Sequence, residues 1–290
     1  MKDLEHYLHV GFSDADQRTH YSFLERKHPE IRITRQELDI LRRFPTATEV
    51  SVNGLTQDTF EYLIAQYGSQ FKVLNFWKCP LVHDLTPLES LPGVEYIVYY
   101  WNQKTEHLWD LSRNTALKGL GFDDFRRVHD LSELASAPAL QELHFGNKVW
   151  NKFVVDTLEP IGRCSRLKAL TFSAQKIVDD RIEPLARLTQ LERLEFPAYQ
   201  FTSRQVAWLK ARLPETIQSK ALGGYWTIGQ PLRQEGKNLD TLIVGKRKVR
   251  LLDSKKDRTL LDQHIDEFNG FHRWFLEHPD ALPEDFKKTV

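Results

Sequence analysis

The sequence predicts an α/β solenoid, in which short parallel strands alternate with turns or brief helices and each unit covers the next. Three observations predict it. The first is a pattern of the form apolar-x-x-apolar-x-aromatic, which recurs as FKVLNF from Phe71, VEYIVY from Val94, LKGLGF from Leu117, LQELHF from Leu140, LKALTF from Leu167 and LERLEF from Leu191. Successive starts lie 23, 23, 23, 27 and 24 residues apart, and self-similarity at such a period marks a repeat architecture. The second is that the remainder of the unit repeats too, as HDLTPLESLPG from His83, WDLSRNTA from Trp109, HDLSELASAPA from His129 and RIEPLARLTQ from Arg181. The third is that one strand plus one short turn cannot bury its own apolar side, so only a stack of such units makes a core.

Each element follows from its own residues. Weaker copies precede the clear ones: ATEVSV from Ala47, and EIRI from Glu30 as a degenerate start, for about seven or eight units. Side chains alternate along a strand, so the fourth and sixth positions point inward together: Leu74 with Phe76, Ile97 with Tyr99, Leu120 with Phe122, Leu143 with Phe145, Leu170 with Phe172 and Leu194 with Phe196. They are expected to form a stacked aromatic spine. Pro87, Pro160 and Pro184 each stand before Leu or Ile, where the first position of a brief helix tolerates a missing N–H. Longer helices are expected from Thr34 (TRQELDILRRF) and Thr202 (TSRQVAWLKARL), both opening on a Thr-x-x-Glu/Gln capping box.

These units resemble the leucine-rich repeat, in the short internalin-like form whose middle segment reads DLSPLxxLxxL. The resemblance covers about residues 30 to 214 and implies a right-handed solenoid with a parallel sheet on its concave face and short helices or turns on the convex one. It also implies an Asn after each strand, which survives only as Asn102. Cys79, Phe125, Lys148, Gln175 and Tyr199 take its place elsewhere, so the turns must satisfy their backbone groups in other ways.

Around the repeats the text changes. Residues 1–30 are expected to cap one end with helix, HYSFLERKHP included, and residues 31–214 to form the solenoid. Residues 215–290 are expected to cap the other end with a hairpin, DTLIVGKRKVRLLD, and an amphipathic helix over Thr259 to His278.

Composition narrows the function. Forty basic residues match forty acidic ones, so no net field draws the chain to nucleic acid or an anionic membrane. The one basic cluster, Lys246, Arg247, Lys248, Arg250, Lys255, Lys256 and Arg258, is interspersed with Asp240, Asp253, Asp257 and Asp262 and lacks the broad basic face of a nucleic-acid binder. The N-terminal text carries acids and histidines in place of a signal peptide's apolar run, and no stretch has the ~20 apolar residues of a membrane helix; a cytoplasmic location is expected. Cys79 and Cys164 fit no metal or disulfide spacing and are expected to be reduced, buried thiols.

Function is therefore sought on the outward strand positions. Trp77, Tyr96, Tyr100 and Trp101 form an aromatic group beside Asp123 and Asp124, with Gly119 and Gly121 as a bare floor and His144 one unit on. Large aromatics with a charged rim are the composition of a protein-binding hot spot, so these seven side chains are the expected contact set for another protein. The alternative is that the terminal segments cover this face. The repeated pairs His83–Asp84 and His129–Asp130 stand at one repeat position and are read as repeat consensus, not as general bases. No phosphate loop, dinucleotide fingerprint or hydrolase motif occurs, and no cofactor or metal is expected. The expectation is a non-enzymatic binding scaffold of bacterial type, with a cytosolic inhibitor or immunity-type protein as its finer form; a host-directed or regulatory adaptor, or an enzyme with its site in the C-terminal segment, are the alternatives.

Overall fold

The computed structural model describes residues 2–9, 19–24, 32–147, 152–245 and 250–286. Its strands are β1 (His20–Ser22), β2 (Glu49–Asn53), β3 (Val73–Trp77), β4 (Tyr96–Tyr100), β5 (Gly119–Asp123), β6 (Glu142–Gly146), β7 (Val154–Val155), β8 (Ala169–Ser173), β9 (Lys176–Ile177), β10 (Arg193–Glu195), β11 (Tyr225–Gln234), β12 (Lys237–Ile243) and β13 (Arg250–Leu252). The α-helices are α1 (Leu4–His9), α2 (Arg35–Leu38), α3 (Gln57–Tyr67), α4 (Ser203–Lys210) and α5 (Arg258–Glu277). An eight-stranded sheet runs β1-β2-β3-β4-β5-β6-β8-β10, every pairing parallel. Register follows the repeat, so that Leu74, Ile97, Leu120, Leu143, Leu170 and Leu194 stand side by side.

The inward alternation is as expected from sequence, and every predicted inward residue is buried. Phe122, Phe145 and Phe172 stack nearly parallel, with ring centroids 5.6 and 5.5 Å apart, and Phe196 continues the row at 5.7 Å. Between Tyr99 and Phe122 the row is joined by Phe125, 5.1 and 5.4 Å from their rings. Phe125 stands where the asparagine is missing, so apolar packing replaces a hydrogen-bonding side chain there. Asn102 keeps the older role: its Nδ2 donates to the Val82 carbonyl, and its Oδ1 accepts from the Lys104 and Thr105 amides. In the β6 unit the turn is held by Asn147, whose Oδ1 accepts from the Lys152 and Phe153 amides; Lys148, the position expected from the period, lies outside the described residues.

A recurrent turn leaves each early strand. Gly54, Lys78, Trp101 and Asp124 follow β2 to β5 and have φ of 70°, 50°, 64° and 57°. Their amides extend the ladder to the next unit, Lys78 to Tyr100, Trp101 to Asp123 and Asp124 to Gly146, before the chain turns away. Holding Lys or Trp in this left-handed region costs about 1–2 kcal/mol each; the ladder bond and the packing beneath offset it.

On the convex side the units close with 3₁₀ turns, at Thr86–Ser90, Leu111–Arg113, Ser132–Ser136, Ile161–Arg163 and Glu183–Arg187. Both expected capping boxes form, Thr34 with Glu37 and Thr202 with Gln205. The helix from Thr34 is shorter than its pattern implies, four residues of α2 and then a 3₁₀ turn over Asp39–Arg43. The eleven-residue α3 carries a capping box without the acid that marks one in sequence: the Thr56 hydroxyl accepts from the Thr59 amide, and the Thr59 hydroxyl accepts from the Thr56 amide.

The N-terminal expectation is corrected. HYS, read as part of a helix, is β1, which extends the sheet beside β2; a three-residue edge gains ladder hydrogen bonds that an isolated turn of helix would not supply. EIRI begins outside the described residues, and its Ile33 is buried in the main core. Nor does α1 sit at the end of the stack; it lies on the concave face. At the other end, β12 and β13 form the expected antiparallel hairpin, with Lys246, Arg247 and Lys248 outside the described residues. The ten-residue β11 pairs with β12 ahead of it. Phe268 and Phe275 of α5 join the same core as Phe201 and Trp208.

Candidate functional site: the concave face

Strand alternation sends the third, fifth and seventh residues of each unit to the concave side, and the register makes ladders of them. Over β3 to β5 that surface is covered from within. Leu4, Tyr7 and Leu8 of α1, at helical spacing i, i+3 and i+4, pack against Val73, Tyr96, Val98 and Tyr100, with Trp77 at the margin. Tyr7 and Tyr96 are 5.0 Å apart. Gly119 and Gly121 are the floor: a Cβ on Gly121 would lie 2.8 Å from Leu8 Cδ2, and one on Gly119 would lie 2.5 Å from Tyr96 Cδ1 and 3.3 Å from Leu4 Cβ.

Polar contacts ring this apolar seat. The Leu4 amide donates to Glu142 Oε2 at 2.9 Å, and the Tyr100 hydroxyl donates to the Leu8 carbonyl at 2.8 Å. Arg193 meets Glu5 at 2.6 Å and Asp3 at 3.7 Å, while Lys2 meets Glu49 at 3.3 Å. Burial drives the Tyr96 phenol up to about 12, and those of Tyr7 and Tyr100 higher still, so all three stay protonated and act as donors.

The expected contact residues divide accordingly. Tyr96, Tyr100, Asp123 and Asp124 are buried, which corrects the reading of them as an exposed patch: α1 lies over the two tyrosines. Trp77 and Trp101 remain half-exposed at the C-terminal ends of their strands, with Lys78 Nζ 5.7 Å from the first ring and 5.1 Å from the second. His144 is half-exposed too, its Nε2 3.1 Å from both Asp123 oxygens.

Beyond α1 the face opens. A groove of about 480 Å³ runs beside the helix, with His144, Thr171, Arg193 and Glu195 among its walls. Thr171 is exposed, and Ala169, Ser173, Arg193 and Glu195 are partly so. Burial raises the carboxyls of Glu142 and Glu195 above the ordinary range, against the pull of the Leu4 amide on one and the Lys220 amide on the other. A second hollow of about 340 Å³ lies at the strand ends between Trp101, Asp124, Arg126 and Phe153. Sequence reasoning did not single out Thr171 and Arg193 as groove residues; cover by a terminal segment, its alternative for this face, is what α1 supplies, and the Leu4-Tyr7-Leu8 spacing is the signal that names the occupant.

In the repeated His–Asp pairs, His129 and both aspartates hold turns. His129 Nδ1 lies 2.9 Å from the Val154 carbonyl, while Asp84 and Asp130 each accept the amide two residues on. Both cysteines are free and buried, and burial pushes their thiols to about 12 for Cys79 and about 11 for Cys164. Among the described residues no helix is long and apolar enough to cross a membrane.

Units of one parallel strand and one 3₁₀ turn, stacked at the sequence period over an aromatic spine, decide the architecture. The fold is a leucine-rich repeat solenoid. No family model matches the chain, and no curated protein matches it significantly. Among solved structures, the solenoid is similar to an internalin C2 from Listeria monocytogenes (21% identity, 54% of this chain and 64% of that one, TM-score 0.41). It is similar also to a leucine-rich repeat protein of Leptospira interrogans (12%, 65% and 50%, TM-score 0.45) and to an internalin F of Listeria monocytogenes (16%, 62% and 62%, TM-score 0.29). The matched region spans between half and just under two thirds of those proteins.

Proposed function

We propose that this solenoid is a non-enzymatic scaffold that binds another protein on the open strip of its concave face, over β6, β8 and β10. The observation that supports this reading is a preorganised, partly exposed sheet surface, with His144 and Thr171 side by side in register, Arg193 and Glu195 beyond, and a groove alongside. A surface whose inward half is locked in a packed core loses little further freedom when it binds. The half-exposed ring of Trp101, which shares a hollow with Asn147 at the end of β6, supplies a rim with the area and polar tip that hot spots favour.

Within that class the finer reading is an inhibitor or immunity-type protein that neutralises an enzyme or toxin by occlusion in the cytosol. A cytosolic site accords with two buried thiols kept out of any disulfide. The test of the scaffold compares affinity capture by the native chain with capture by Thr171→Arg/Ala169→Arg, which fills the open strip. A protein held by the native chain and lost by the variant supports the reading; one retained equally by both overturns it. For the inhibitor reading, co-expression should restore growth against the product of a neighbouring toxin gene.

A further inference from the structure

We infer that the covered half of the concave face is itself a receptor for a short amphipathic helix, and that α1 is an exchangeable occupant standing in for a partner's segment. The inference rests on the proposal that the concave face binds protein, and extends it to the chemistry of the partner.

The seat is shaped for a helix. Gly121 of β5 lacks the side chain that a helix would strike, Gly119 leaves room for the Tyr96 ring, and the flanking β3 and β4 present Val73, Tyr96, Val98 and Tyr100 as walls. A docking helix must offer apolar residues at i, i+3 and i+4, as Leu4, Tyr7 and Leu8 do. It must also bring an acid at i+1 toward Arg193, as Glu5 does, and an unpaired amide in its first turn toward Glu142, as Leu4 does. Charge matching at the other rim falls to Lys2 against Glu49. The partner is therefore an amphipathic helix of the pattern Leu-Glu-x-Tyr-Leu or a close variant.

The occupant is weakly held by comparison with its seat. Six residues are too few for a helix to persist without tertiary support, Leu8 is only partly buried, and the ion pairs of Arg193 with Glu5 and Asp3 join exposed groups that contribute little. Packing on Val73, Tyr96, Val98 and Tyr100 holds α1, and its covalent attachment raises its local concentration at the seat.

The probe is a fluorescent peptide of the first ten residues, MKDLEHYLHV, titrated by anisotropy against the full chain and against full-length Leu4→Ala/Leu8→Ala, whose own helix seats poorly. Binding at least about tenfold tighter to the variant is expected, because the native chain's tethered helix competes, and a peptide carrying the same two alanines should not bind. Equal binding to both chains, binding to neither, or equal binding of the alanine peptide would overturn the inference. Should the double variant lose its cooperative melt, full-length Leu8→Ala decides: tighter peptide binding upholds exchange, and unchanged binding refutes it. Thr171→Arg alone, in register with His144 and Glu195 and not with Glu142 or Arg193, is expected to leave peptide exchange intact, so failure of the open-strip reading and failure of this one are separable.

Discussion

At the scale of single residues, the inward ring of each unit carries most of the burial. Phe145 touches Phe122 and Phe172 on either side and Phe153 from the next turn, at 5.5 to 5.9 Å between centroids, and is almost wholly buried. Phe145→Ala leaves a cavity in mid-spine that neighbours cannot fill without unstacking, and is expected to cost about 3–5 kcal/mol, read as a lower urea midpoint with an unchanged slope. The thiols give a second residue-scale expectation. Desolvation holds Cys79 at about 12 and Cys164 at about 11, so few thiolates form near neutral pH. Iodoacetamide at about pH 8 should label neither in the native chain and both once it is unfolded; rapid native labelling of either would contradict its burial.

At the scale of elements, local rules were legible where they are self-contained. The Thr202–Gln205 box formed because both partners sit within one turn of α4. The HYS strand was not legible, because three residues carry no period and only the waiting edge of β2 makes them extended. In the C-terminal ribbon, three carboxylates tie β12 to the turn before α5. Asp253 accepts from the Asn238, Lys255 and Lys256 amides, Asp240 from the Ser254 hydroxyl and amide, and Asp257 from Lys237. These bonds favour the ionised form and lower all three below the ordinary 3.8. A carboxylate held low in the fold adds stability that is present above the unfolded value and lost as pH falls through the folded one. Melts taken from about pH 5 to about pH 2 should show the midpoint falling over that range, and Asp253→Asn should flatten the fall; an unchanged acid slope would assign it to other groups.

For the whole molecule, stacked units share one core, so damage at an end propagates inward. Phe275 of α5 lies in that core with Trp208 and Phe201 of the last unit, and the Arg212 guanidinium donates to its carbonyl at 2.9 Å. Phe275→Ala should lower the midpoint of one cooperative transition, by a loss of about 3–5 kcal/mol. Two separate transitions in calorimetry of the native chain would show instead that residues 215–290 fold as an independent unit.

Periodicity alone determined the parallel sheet, its register and the identity of the inward row, since a side-chain alternation of two and a unit of about 23 residues leave one way to bury the rings. It also named the outward residues correctly as a ladder. Which of them meet solvent was decided only in three dimensions. Leu4 stands more than a hundred residues before Glu142, the acid its amide donates to, and no local pattern records that a helix from the start of the chain lies on glycines in the middle of it. Burial of Tyr96 and Tyr100 is a property of that long-range contact, and so the part of the concave face left open is set by the tertiary structure.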